Sequence, residues 1–153
     1  MSDLDLGRES TLLAEKTFPA EESLLPRITA FVLEAAGPAG LAPARQPHLE
    51  LAVEEVFINI CRYAYKRPPG EVTLRLEEAR NLLRLTFSDR GLPFDPLERA
   101  APDLNAGVED RPVGGLGLFL TMRLMAEISY RRADGLNILC LGLMKTCLCS
   151  LEY

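Results

Sequence analysis

The chain has 153 residues, with 17 Lys and Arg against 22 Asp and Glu, and a formal net charge of −5. That acidic balance, without any run of Lys or Arg, excludes a direct nucleic-acid binder, and no apolar run reaches the ~20 residues of a membrane-spanning helix. The length suits one domain over 1–153 that buries ~70% of its unfolded surface without staples, and the polar start from Met1 to Arg8 predicts a cytoplasmic protein.

In chain order, Leu12 to Phe18 is predicted as a short strand, and Pro19 to Ser23 gives a polar start to a helix from about Leu24 to Ala36, stopped by Gly37-Pro38. Leu24, Ile28, Phe31, Val32 and Ala35 form its apolar stripe. Ala39 to Gln46 links to a second helix, roughly Pro47 to Tyr65. Leu49, Val53, Val56, Ile60 and Ala64 make one apolar face of it, while Leu51 and Ile58 lie on the far side near Glu55 and Asn59. A Glu embedded in such a helix needs a reason, because an unpaired buried carboxylate costs several kcal/mol or takes up a proton.

After Lys66 to Gly70 the period changes to two. Val72, Leu74 and Leu76 alternate with polar residues, as do Leu83, Leu85 and Phe87, which predicts a hairpin turning within Glu78 to Asn81 and ending at Asp89. Leu92 to Val113 carries four prolines and no lasting period, the composition of a lid or binding loop. From Gly114 a helix is expected to about Ala126, with Leu116, Leu120, Met122 and Leu124 feeding the core. Ile128 to Ala133, an Asp134-Gly135 turn and Leu136 to about Leu143 form a last hairpin. The sum is an α+β two-layer sandwich, a mixed, mostly antiparallel sheet with helices packed on one face, its core at about 12–145 and its lid at about 92–113.

The four cysteines, Cys61, Cys140, Cys147 and Cys149, lack a paired C-x-x-C spacing and are expected as core or strand residues in a reducing compartment. His48 is the only histidine. It has no thiol or acidic cluster around it, which excludes a histidine-based triad or a zinc centre.

Three polar signals carry the chemistry. Glu55 and Asn59 are four residues apart on a helix, about 40° around its axis, so a carboxylate and an amide share one wall. Asp89 ends an alternating strand at Arg90-Gly91 and presents a lone carboxylate at the sheet's edge. Gly114-Gly115-Leu116-Gly117 leaves backbone N–H groups bare near a helix start, where the dipole favours phosphate. Together, in this order, they describe a nucleotide site.

The run from Glu50 to Tyr65 resembles the N-box of the GHKL (Bergerat-fold) ATPases, and Asp89-Arg90-Gly91-Leu92-Pro93-Phe94-Asp95-Pro96 resembles their adenine-binding glycine box. Gly114 to Glu127 completes the set, and the phrasing over roughly Glu15 to Lys145 is most similar to the RsbW-type anti-sigma-factor serine/threonine kinases. The resemblance implies ATP and Mg²⁺ as cofactors. It implies that Asn59 ligates Mg²⁺, that Glu55 accepts the proton of the attacking hydroxyl, and that Asp89 accepts a hydrogen bond from the adenine amino group. Gly91 would allow close approach of the base, and Gly115, Leu116 and Gly117 would face the phosphates. The partners implied are an anti-sigma antagonist protein as phosphoacceptor, a sigma factor and a second copy of the chain. Two positions depart from the family's usual pattern: Tyr63 stands in place of a His, and Ala126 in place of an Asp.

Three functions compete on this reading. A protein kinase is supported by Glu55 and Asn59 together. A non-catalytic ATP-binding regulator would be favoured by loss of Glu55, which is present. The ATPase domain of a sensor histidine kinase requires a phosphoacceptor His on a dimerising helical hairpin, and only His48 exists, with no such hairpin before it.

Overall fold

Alternating strands and striped helices sort the chain into two layers, and the computed structural model describes residues 10–67, 70–98 and 115–146 of it. The strands are β1 (Thr11–Pro19), β2 (Glu71–Ala79), β3 (Leu82–Asp89), β4 (Glu127–Ala133) and β5 (Leu136–Met144). The helices are α1 (Leu25–Ala36), α2 (Gln46–Asn59) and α3 (Gly115–Leu124). The strands form one sheet in the order β1-β2-β3-β5-β4, and all four pairings are antiparallel. This is the expected α+β two-layer sandwich. Among the described residues no helix is long and apolar enough to cross a membrane.

Strand alternation decides which face of the sheet is covered. Val72, Leu74 and Leu76 of β2, Leu83, Leu85 and Phe87 of β3, and Leu141 and Leu143 of β5 are all buried beneath the helices. Each such side chain contributes about 1.5–3 kcal/mol by leaving water. The opposite face carries polar pairs between strands: Thr17 with Thr73 at 2.7 Å and Arg75 Nη1 with Glu15 at 2.7 Å between β1 and β2, and Arg84 Nε of β3 with Glu127 of β4 at 3.0 Å, reaching across Gly142 of β5. Both hairpin turns fall where predicted. Arg80 takes a φ of 56° between β2 and β3. Asp134 and Gly135 take 53° and 78°, the two positive values that a primed hairpin turn demands.

Leu49, Val53, Val56, Ile60 and Ala64 are buried as predicted, and Ala52 and Phe57 join them, so α2 is enclosed on most sides. Its predicted end is altered. The α-helix stops at Asn59, and Ile60–Ala64 continues as a π-turn before Tyr65 becomes extended. The carbonyl that a continuing helix would use, on Ala64, accepts instead from the Leu92 N–H at 2.8 Å.

The inward face of α3 differs from the expectation. Leu118 and Thr121 are buried, Met122 and Met125 pack against the core, and Leu120 is 45% exposed. Leu120 lies about 200° around the axis from Leu118, so both cannot face inward. The helix ends at Leu124 because the Ala126 N–H already donates to Gly142 of β5 at 2.8 Å. In the long loop, Pro96–Glu98 forms a short 3₁₀ turn, while 99–114, and with them most of the proposed lid, lie outside the described residues.

The far end of the sheet is tied down by Arg45 Nε donating to the Met144 carbonyl at 3.1 Å, by the Ala42 N–H donating to the Lys145 carbonyl at 2.8 Å, and by a Lys145–Glu78 ion pair.

Thr121 is fully buried and its hydroxyl has no hydrogen-bond partner among the described residues. Thr121→Val keeps the β-branched shape and removes the orphaned group, so it should stabilise the fold by about 1 kcal/mol, read as a higher urea midpoint with an unchanged slope. A loss of stability would show that the hydroxyl is paired.

Candidate functional site

The site grows from the last residue of β3. Asp89 points to the covered side of the sheet and is 6% exposed, directly across from Asn137 of β5 in the strand register. Asp89 Oδ1 accepts from the Gly91 N–H at 2.9 Å and from Asn137 Nδ2 at 3.0 Å. The first is a turn in which an Asp side chain ties the backbone two residues on; the second fixes the carboxylate from the neighbouring strand. Among the described residues both hydrogen bonds fall on Oδ1, which leaves Oδ2 available for an incoming donor.

Asn137 is the residue that sequence reasoning missed. Its Oδ1 accepts from the Tyr130 hydroxyl at 2.6 Å, from Arg132 Nη1 at 3.0 Å and from the Phe94 N–H at 3.4 Å. Its Nδ2 donates to Asp89 and, at 2.8 Å, to the Leu92 carbonyl. Donors at one end and acceptors at the other permit a single amide orientation. Arg132 also donates to the Gly91 carbonyl at 2.8 Å, so β4 and β5 together pin the loop after β3. The signal was present in the sequence: Asn137 shares the inward phase of Leu139, Leu141 and Leu143, where a polar residue is out of place.

Gly91 has a steric reason to be glycine. A Cβ there would stand 2.4 Å from the Ala64 carbonyl oxygen and 2.5 Å from the Ala64 Cβ. What Gly91 is seen to approach is therefore the last turn of the π segment, and this contact docks the loop on the end of α2. Tyr65 closes the same corner: its ring lies against Gly70, its hydroxyl donates to the Glu71 carbonyl at 2.5 Å and accepts from the Arg90 N–H at 3.0 Å.

In front of Asp89 lies a cavity of about 490 Å³, the space at its open mouth included. Val56, Phe87, Phe94, Leu118 and Leu139 give it apolar walls, and Asn59, Tyr63, Tyr130 and Asn137 supply polar atoms. Asp89 and Asn59 are thus brought to one cavity, as the sequence suggested. The Asn59 amide makes no hydrogen bond among the described residues, so its oxygen is available for a hard cation such as Mg²⁺. Tyr63 is half exposed at the cavity's rim.

Glu55 stands one turn before Asn59, outside the lining of that cavity, with its carboxylate packed on Gly117 in the first turn of α3. Burial pushes its pKa above the ordinary carboxylate value; the neighbouring Glu54 adds to the rise and Arg62 opposes it. Gly115 opens α3 and Leu116 follows it, while Gly114 and the Leu116 side chain lie outside the described residues.

Among the described residues none of the remaining candidates lines that cavity. Burial pushes the Cys61 thiol up to about 11 and raises that of Cys140, so both stay protonated, and Cys147 and Cys149 lie outside the described residues. Burial lowers the His48 pKa, helped by Arg45, and among the described residues no His, Cys, Asp and Glu cluster could hold a metal ion.

Residues 18–143 match the model of the histidine kinase-like ATPase domain family. The chain is 30% identical over 129 residues to serine-protein kinase RsbW of Bacillus cereus, covering 82% of this chain and 81% of that protein. It is 34% identical over 94 residues to serine/threonine-protein kinase BtrW of Bordetella bronchiseptica, covering 61% of this chain and 66% of that one. Among solved structures, the RsbU and RsbW domains of Rv1364c from Mycobacterium tuberculosis share the fold at a TM-score of 0.59 and 15% identity, over 86% of this chain and 32% of that longer chain. The blue-light activated histidine kinase EL346 of Erythrobacter litoralis shares it at 0.56 and 18%, over 87% of this chain and 44% of that one. With its cavity between Asp89 and Asn59 and these relatives across most of its length, the chain belongs to the histidine kinase-like ATPase domain family and, within it, to the RsbW-type serine-protein kinases.

Proposed function

We propose that this chain is an ATP-dependent serine/threonine protein kinase of the anti-sigma-factor type, which phosphorylates an antagonist protein. The observation that carries the reading is the placement of Glu55 and Asn59 one turn apart on α2, beside a cavity that ends at the half-free carboxylate of Asp89. The reading extends to a sigma factor as a second bound protein, to a homodimer as the working form and to the cytoplasm as its place.

Each residue has a task set by its surroundings. Asp89 Oδ2 accepts from the adenine amino group, while the carbonyl of guanine would face it as a second acceptor. Asn59 would hold Mg²⁺ through its neutral side-chain oxygen. When bound, that ion offsets the negative charge of the triphosphate. The backbone at Gly115, Leu116 and Gly117, at the positive end of the α3 dipole, faces phosphate. Glu55 accepts the proton of the serine or threonine hydroxyl as that oxygen bonds to the γ-phosphorus of ATP and the γ-phosphorus parts from the bridging oxygen that leaves with ADP, and its raised pKa brings it closer to the working pH, where a general base is most effective.

Measurements of rate, melting and binding test these assignments. Glu55→Gln should lower phosphotransfer to the cognate antagonist by about 10²–10⁴-fold while Mg-ATP binding survives, because the amide cannot take up the proton. Because only the ionised form is a base, the wild-type rate should fall with acid along a limb set above the ordinary carboxylate range, and that limb should vanish in the variant. A wild type that binds ATP and labels no serine or threonine partner would favour a nucleotide-sensing regulator instead.

Folding raises the Glu55 pKa, so its ionised form costs stability once the pH exceeds the unfolded value, and the full cost is present above the folded value. Glu55→Gln should therefore melt higher than wild type at neutral pH and lose that advantage in acid. An equal or lower melting temperature at neutral pH would show that the carboxylate is held by favourable contacts.

Asn59→Ala should shrink the gain in ATP affinity that Mg²⁺ confers, and Asp89→Asn should blur the preference for ATP over GTP, both measured by calorimetry. Unchanged Mg²⁺ dependence would remove Asn59 from the metal, and equal wild-type binding of GTP and ATP would remove Asp89 from base reading.

A further inference from the structure

Gly117 keeps helical backbone and is absent from the glycines with positive φ, so conformational freedom does not explain a glycine there. Space does. A Cβ on Gly117 would lie 2.1 Å from Glu55 Cδ, 2.2 Å from Oε2 and 2.3 Å from Oε1, so the whole carboxyl group occupies the volume that any other side chain would need. Among the described residues Glu55 has no hydrogen bond or ion pair to hold that carboxylate. The contact with α3 is what limits where it can lie.

We infer that Gly117 is a positioning residue for Glu55: the bare Cα in the first turn of α3 is the seat of the general base, and the step this seat controls is proton acceptance rather than nucleotide binding. The name of base rests on the kinase reading; the seat itself does not. The glycine's expected task at the phosphates is a backbone task, which alanine would perform equally well with its own N–H. The task at Glu55 belongs to the missing side chain. α2 and α3 are thereby coupled through one steric contact, and a base misplaced by about 1 Å costs about 10²-fold in rate.

Gly117→Ala, Glu55→Ala and the double variant decide the point. Alanine is the better helix former, so with the carboxylate gone Gly117→Ala should raise the melting temperature, whereas with Glu55 present it should lower it. Mg-ATP affinity of Gly117→Ala should stay within about threefold of wild type, and phosphotransfer at saturating Mg-ATP should fall about tenfold or more. Failure of Gly117→Ala alone to fold, beside a folded double variant, would be the same reversal in its extreme form. The inference is overturned if Gly117→Ala shifts the melting temperature in the same direction in both backgrounds, or if neither Gly117→Ala nor the double variant folds. It is also overturned if Mg-ATP affinity falls while the saturated rate holds, which would return Gly117 to the phosphates. Should wild type label no partner, the kinase reading falls, and the reversal of the melting shift still decides the seat.

Discussion

The site depends on how a buried carboxylate is kept in place. Asp89 is nearly sealed from water at the end of β3, where an unpaired charge would cost several kcal/mol. Asn137 makes the burial tolerable, and it can do so because its own amide is saturated: three donors on its oxygen leave the nitrogen to Asp89 and Leu92. A network of this kind is sound when every member is satisfied and weak when one is missing. The same five contacts join β3, β4, β5 and the loop after β3, so the geometry of the cavity floor follows from one hydrogen-bonded centre.

The opposite wall depends on α2. A helix enclosed on most sides has little freedom to rotate, and Glu55 and Asn59 inherit that rigidity. Its far end is fastened by Gly91, whose missing side chain lets the loop sit on Ala64, and by Tyr65, whose hydroxyl bridges β2 and the residue after β3. Asp89 and Asn59 belong to different layers of the fold, and this corner fixes the distance between them.

Much of this was legible in the sequence because the informative residues break a pattern. Glu55 and Asn59 stand out on a helix with little room for water, and Asp89 ends an alternating strand. Asn137 broke its pattern too, yet the last hairpin reads as a plain apolar alternation, and register with Asp89 is a tertiary fact that no local window contains. Leu120 was misplaced for a related reason: α3 is apolar nearly all round, and composition alone cannot say which of its sides meets the sheet. The reasons for Gly91 and Gly117 were out of reach, since each glycine is explained by a residue more than twenty positions away.

The polar pairs on the uncovered face of the sheet have a consequence for strand register. Solvent-exposed ion pairs contribute little to stability, about 0–1 kcal/mol each. Their arrangement discriminates where the apolar alternation cannot. A slip by one residue turns every core side chain outward and corrects itself, but a slip by two preserves the alternation and goes unpunished by the core. Here Glu15 faces Arg75, and Glu77 faces Arg84. Sliding β1 by two residues in one direction sets Glu15 against Glu77, and sliding β3 by two sets Arg84 against Arg75. The charges act as a vernier between β1 and β2 and between β2 and β3, opposing a two-residue slip in one direction that the hydrophobic alternation alone would accept.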